Sequence, residues 1–423
     1  MNTLIKAALI IDPESPHHKK NFDVLISDGI IKKIDKNIDT KADTVIDGKN
    51  CILSPGFFDL HVSFGEPGFE FKEDLESGCK AAAAGGFTDV IQMPSTFPVM
   101  QNSAAIQMTT NKKANQLVTV HAAGALSVDM EGHDMTEMYD MHKSGAACFT
   151  DHKNAVQDAG VMLRSLLYVK TFDGLVMSFP DDRSLSGKGQ MNEGSASTQL
   201  GLKGIPALAE ELMVARDLML CEYAEGKIHF STISTKGSVE LIRKAKKAGL
   251  KVTCDVAAHH LLLDESKIEE FDTRFKIKPP LRSQEDINAL KEGLKDGTID
   301  AICSDHIPED VENKQKEFDL AAFGAEGLET AFAAANTALK DSMKIEQIIE
   351  KFTSAPRKII SQPQIKIAEG ETACLTLFNP DEVWDVKESD IKSKSRNNPF
   401  VGMKLTGKIK AVLNQGLQYA VGS

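Results

Sequence analysis

The sequence predicts an α/β protein: a (β/α)8 TIM barrel plus a small β-sandwich domain assembled from both termini. Three observations carry this. From residue 55 to 365, short apolar runs alternate with helix-like stretches, the pattern of parallel strands joined by crossover helices. Eight such runs occur, and eight strands close a barrel whose active site lies at their carboxyl ends. Outside this region, in 1–54 and 366–423, short β-like runs follow one another through turns. A chain of 423 residues has room for a barrel and one accessory domain.

In order, the first segment offers Ala8–Ile11, Phe22–Ile26, Gly29–Ile34 and Thr44–Asp47 as strands, with turns at Asp12-Pro13 and Asp28-Gly29. The barrel strands are then Phe57–Val62, Thr88–Met93, Leu117–Ala122, Gly145–Thr150, Leu175–Phe179, Lys227–Ser231, Lys251–Val256 and Ala301–Asp305. Between them lie helical stretches such as Leu75–Ala84, Val239–Ala248 and Glu285–Leu294. The tail returns to strands at Ala373–Phe378 and Gly407–Leu413, with Asn379-Pro380 and Asn414-Gln415-Gly416 as turns. No internal repeat or low-complexity tract interrupts the series.

A net charge of -12 argues against nucleic acid and anionic membrane surfaces as partners. No run reaches the roughly 20 apolar residues of a membrane span, and the first residues read as a strand rather than a signal peptide. Seven scattered cysteines without a C-x-x-C imply buried, reduced thiols and a cytoplasmic location.

The first barrel strand ends in His61-Val62-Ser63. Side chains alternate along a strand, so residues 61 and 63 face the same way. Two imidazoles there would grip one metal ion; this chain supplies one imidazole and one hydroxyl.

Several segments resemble the dihydroorotases, cyclic amidohydrolases of pyrimidine synthesis, in particular the type associated with aspartate carbamoyltransferase. They include Pro55–Gly68, Lys72-Glu73-Asp74, Gly85–Thr88, Met93–Thr96, Asp181–Ser186, Ser234–Ser238, Ala258–Leu261, Pro279–Ser283, Ser304–Pro308, Gly327–Ala331 and Ser393–Asn397. The resemblance implies a dinuclear metal site, zinc in the family, that polarises a ring amide and activates a bridging water, with an aspartate moving the proton. It implies His61, Asp151 and Asp305 as metal ligands, with Asp305 also catalytic. It places Ser63, Phe179 and Thr232 where further histidine ligands are expected. Among substrate-reading positions it puts Gly65 for an arginine, Ser95 and Lys278 for asparagines, and Glu309 for a histidine. Ser95, Lys278 and Glu309 are therefore the candidate pocket residues.

Plainer roles compete with each assignment. His61 could be a hydrogen-bonded core histidine, and Asp151 could cap a loop or pair with His152 or Lys153. Asp305 could accept backbone hydrogen bonds. His259-His260 reads as loop packing, Arg243–Lys247 as a solvated face, and Lys72-Glu73-Asp74 as a helix start. The expectation is a dihydroorotase homologue with metal ligands largely lost, weakly active or inactive, and zinc absent or loosely held. Such a chain would act structurally or as a regulator, in a homo-oligomer or with aspartate carbamoyltransferase. The alternatives are a hydrolase with a reduced single-metal site and a metal-free oligomeric scaffold.

Overall fold

The computed structural model describes residues 2–111 and 117–420. Eight parallel strands form the barrel: Phe57–Val62, Phe87–Gln92, Thr119–Gly124, Ala146–Phe149, Val176–Ser178, Lys227–Phe230, Lys251–Ala257 and Ala301–Cys303. Each pairs with the next in sequence. The eighth meets the first through a parallel bridge between Val62 and His306. There Ser63 N donates to His306 O at 2.8 Å and His306 N to His61 O at 3.3 Å. The barrel interior is filled by Phe58, Leu60, Ile91, Met93, Ala123, Cys148 and Met177, with Ile359 and Ile360 packed onto them.

Sequence signals explain the helices. Asp74 caps Leu75–Ala84 by accepting from Ser77 N, and the helix stops at Gly85-Gly86. Gly86 holds a left-handed φ of +94°, and a Cβ on Gly85 would lie 2.2 Å from Leu328 O. The helix Lys236–Lys247 starts at Thr235 and buries Val239, Ile242 and Ala245. Its basic residues face outward, where Arg243 pairs with Asp296 and Lys246 with Asp300.

The second sheet draws on both ends of the chain. Asn2–Ile10, Lys20–Ser27, Ile30–Asp35, Thr44–Asp47 and Ile52–Pro55 join Cys374–Asp385, Lys404–Asn414 and Leu417–Ala420. Leu53 and Leu375 lie in one apolar cluster with Ile5, Val24, Ile31, Leu377 and Leu413, so the two halves share a core. Asp28 and Gly29 both have positive φ, as a tight hairpin between two strands requires. All seven cysteines are buried and free of disulfides.

An aromatic cluster joins the sheet to the barrel. The Phe57 ring lies 5.2 Å from Phe332, 5.5 Å from Phe352 and 5.6 Å from Phe378. Polar contacts reinforce it: Thr376 Oγ1 donates to Gly86 O at 2.6 Å, and Asn414 Nδ2 donates to Leu117 O at 2.9 Å. Arg357 pairs with the buried Asp89. Gly56 sits at the crossing from sheet to barrel, where an added Cβ would lie 2.1 Å from Thr88 Oγ1. Gly56→Ala should therefore lower unfolding stability by about 1–3 kcal/mol in denaturant titration, through overpacking against a rotamer-restricted threonine.

Past the seventh strand, His259 and His260 are buried in a short 3-10 turn. His260 Nε2 donates to the carbonyls of Pro279 and Pro280 at 3.1 and 3.2 Å, which holds the Lys276–Arg282 segment against the turn. Burial lowers both imidazoles, His259 to about 4 and His260 well below its ordinary range. The folded protein keeps them neutral while the unfolded chain protonates them below about pH 6.5. Unfolded chains then bind more protons, so stability should fall as pH drops below that value, by about 1.4 kcal/mol per pH unit per imidazole. In urea titrations between pH 6.5 and 5, His260→Asn should show a shallower slope than the parent, by one proton's worth; an unchanged slope would refute the assignment.

Candidate active site at the barrel mouth

Three strand ends build the mouth with left-handed backbone at non-glycine residues: His152 (φ 53°), Thr232 (φ 54°) and Asp305 (φ 50°). Such conformations cost energy and persist where surrounding structure imposes them, commonly at functional sites. They follow the fourth, sixth and eighth strands.

Asp305 is the centre. His61 Nδ1 lies 2.8 Å from Asp305 Oδ1, and both side chains are 3% exposed. Lys153 Nζ reaches the same oxygen at 2.8 Å. Burial alone would raise the Asp305 carboxyl, but the Lys153 ammonium and His61 outweigh it and hold it well below the usual carboxylate range. Lys153 Nζ also donates to Thr232 Oγ1 at 3.1 Å and lies 4.7 Å from the centroid of the Phe179 ring.

His152 stands edge-on to His61, with ring centroids 4.8 Å apart. Its Nδ1 is 2.8 Å from Ser95 Oγ. Burial, then the charges of His61 and Lys153, push its imidazole well below its ordinary range, so it is neutral at pH 7. Its Nε2 is buried and has no hydrogen-bond partner.

Asp151, expected as a metal ligand, does not join this group. Its Oδ1 accepts from Leu126 N and Ser127 N, both at 2.9 Å, and its Oδ2 accepts from Ser127 Oγ. The carboxylate ties down the loop after the third strand. Burial raises it to about 6. The positive φ at His152 re-aims the chain there, and His152 and Lys153 face the mouth instead.

The remaining predicted positions line one cavity of about 260 Å³ together with His152 and Lys153: Ser63, Gly65, Ser95, Lys278 and Glu309. Two further ion pairs cross its walls. Lys278 Nζ contacts Asp181 Oδ2 at 2.7 Å, and Lys72 Nζ contacts Glu309 Oε1 at 2.8 Å. Burial raises the Glu309 carboxyl despite Lys72. Phe179 is buried beside Ala155 and Met213. His229 bonds Thr253 Oγ1 at 2.9 Å and Asp255 Oδ2 at 3.0 Å. Asp255 also accepts from Thr232 N at 2.6 Å, which fixes the strained residue.

His152, Lys153 and Asp181 were not among the residues singled out from the sequence. Asp151-His152-Lys153 presents three polar side chains at a strand end, and only the backbone turn decides which of them look inward. Among the described residues, no group of three or more His, Cys, Asp or Glu side chains is arranged to hold a metal ion.

Comparison with known proteins agrees with this architecture. The Dihydro-orotase-like family model matches residues 50–238, and the Amidohydrolase family model matches residues 183–418. A dihydroorotase of Caldanaerobacter subterraneus subsp. tengcongensis is 40% identical over 98% of this chain and 96% of its own. One of Acetivibrio thermocellus is 41% identical over 98% and 97%. In structure, the L-hydantoinase of Arthrobacter aurescens superposes with a TM-score of 0.85 over 99% of this chain and 96% of its own, at 24% identity. The barrel with its two-ended accessory sheet, and sequence likeness along nearly its whole length, place this chain in the amidohydrolase family, among the dihydroorotase-like members.

Proposed function

We propose that this chain is a dihydroorotase homologue of pyrimidine synthesis whose barrel no longer carries the binuclear hydrolase chemistry, and that it serves as a structural or regulatory member of an assembly. The observation that carries the reading is the donor set at the mouth. Phe179 offers a hydrocarbon ring where a ligand is expected. Ser63 and Thr232 offer hydroxyls, and that of Thr232 is occupied by Lys153. A zinc ion wants about four N, O or S donors. A divalent ion bound to Asp305 Oδ1 would meet an ammonium already 2.8 Å from that oxygen. These residues do not fit a metal pair.

What the mouth can do follows from its own groups. Asp305 stays ionised beside Lys153 and His61, and His152 stays neutral. The barrel itself needs no metal, because its interior is packed hydrocarbon. A folded, inactive copy can therefore persist as an oligomer-building protein, with aspartate carbamoyltransferase as the partner the family suggests.

Purified from zinc-supplemented medium, the protein should carry well under one equivalent of zinc and should neither open dihydroorotate nor cyclise carbamoyl aspartate. Stoichiometric zinc with turnover would sink the proposal and favour a hydrolase with a reduced single-metal site. Co-expression with aspartate carbamoyltransferase, followed by size-exclusion chromatography, should give co-elution; separate peaks would remove that partner.

A further inference from the structure

The environment of Lys153 goes beyond loss of ligands. A carboxylate as deeply buried as Asp305 needs a nearby positive charge, since an unpaired ion in the interior costs several kcal/mol. In a metallohydrolase that charge comes from bound cations. Here it comes from the chain. Lys153 is 15% exposed along its side chain, and its ammonium points inward.

Two of the positions where the family pattern expects histidine ligands now serve that ammonium. Thr232 Oγ1 accepts one of its hydrogens at 3.1 Å. Phe179 presents its ring at 4.7 Å, within the range of a cation–π contact. Asp305 Oδ1 takes the third contact at 2.8 Å. An imidazole at either position would compete for a metal; a hydroxyl and a phenyl ring suit an ammonium. Neutral His152 adds no opposing charge beside it.

We propose that Lys153 is a tethered replacement for the metal cation, an internal counter-ion that binds the ends of the fourth, sixth and eighth strands together through Thr232 and Asp305 and keeps divalent ions out. The inference rests on the metal-free reading of the mouth, and its test can fail independently of that reading.

Thermal unfolding of the intact protein, with and without zinc chloride, decides the matter. Lys153→Met should lower the midpoint by roughly 3–6 °C, because it strands the Asp305 charge. The double variant Lys153→Met with Asp305→Asn removes both charges and should recover at least half of that loss; it also serves if Lys153→Met alone does not fold. Zinc should raise the midpoint of Lys153→Ala, where Asp305 has lost its internal counter-ion, and leave the parent unchanged. A Lys153→Met protein that melts with the parent, a double variant no more stable than Lys153→Met, or equal zinc responses of parent and Lys153→Ala would each overturn the proposal. Turnover by a zinc-loaded parent would defeat the functional reading; an indifferent Lys153→Met in an inactive, zinc-free background would defeat this inference alone.

Discussion

The buried carboxylate of Asp305 is the constraint around which the mouth of this barrel is arranged. It sits at the end of the eighth strand on strained backbone, almost out of reach of solvent. Two side chains meet its Oδ1, His61 from the first strand and Lys153 from beyond the fourth. Remove the positive charge and a buried ion is left without compensation, which typically costs about 3–5 kcal/mol. Other features fall into place from that need. His152 takes up the left-handed turn that carries Lys153 inward. Thr232 adopts another and presents its hydroxyl to the same ammonium, while Asp255 anchors its backbone N–H.

Much of the fold was legible in the sequence because hydrophobic periodicity and turn residues are local signals. The Leu75–Ala84 helix and the Phe57–Val62 strand lie where the pattern put them. The observed Thr119–Gly124 strand starts two residues later than the apolar run that announced it, a shift typical of element ends. The mouth was harder to read. Asp151, His152 and Lys153 are consecutive, and composition gives no reason to prefer the second and third over the first. A positive φ at His152, which no sequence pattern marks, sends the Asp151 carboxylate to Leu126 and Ser127 and its neighbours to Asp305 and His61. Likewise, Phe179 could be recognised as a residue that binds no metal, but its role beneath two lysines needed the tertiary structure.

The scaffold and the mouth are stabilised by different means, and this lets one change without the other. The Phe57 cluster, the Asn414 and Thr376 contacts and the Arg357–Asp89 pair join the sheet to the barrel around the first residues of the first two strands. None of them involves a residue of the mouth. Stability in such barrels resides in this packing, whereas chemistry resides at the carboxyl ends of the strands. An apolar side chain such as Phe179 then adds burial at a strand end without disturbing the closure of the barrel.

The charges around the cavity bear on the proposed loss of hydrolase function. Each lysine that lines it is already matched: Lys72 with Glu309, Lys278 with Asp181 and Lys153 with Asp305. A carboxylate-bearing substrate gains from an arginine held ready for bidentate contact, and Gly65 supplies no such group. To bind an anion, the cavity would have to break one of its own ion pairs and leave the released carboxylate at least partly buried. The same closed pairing that orders the mouth therefore also works against an anionic ligand.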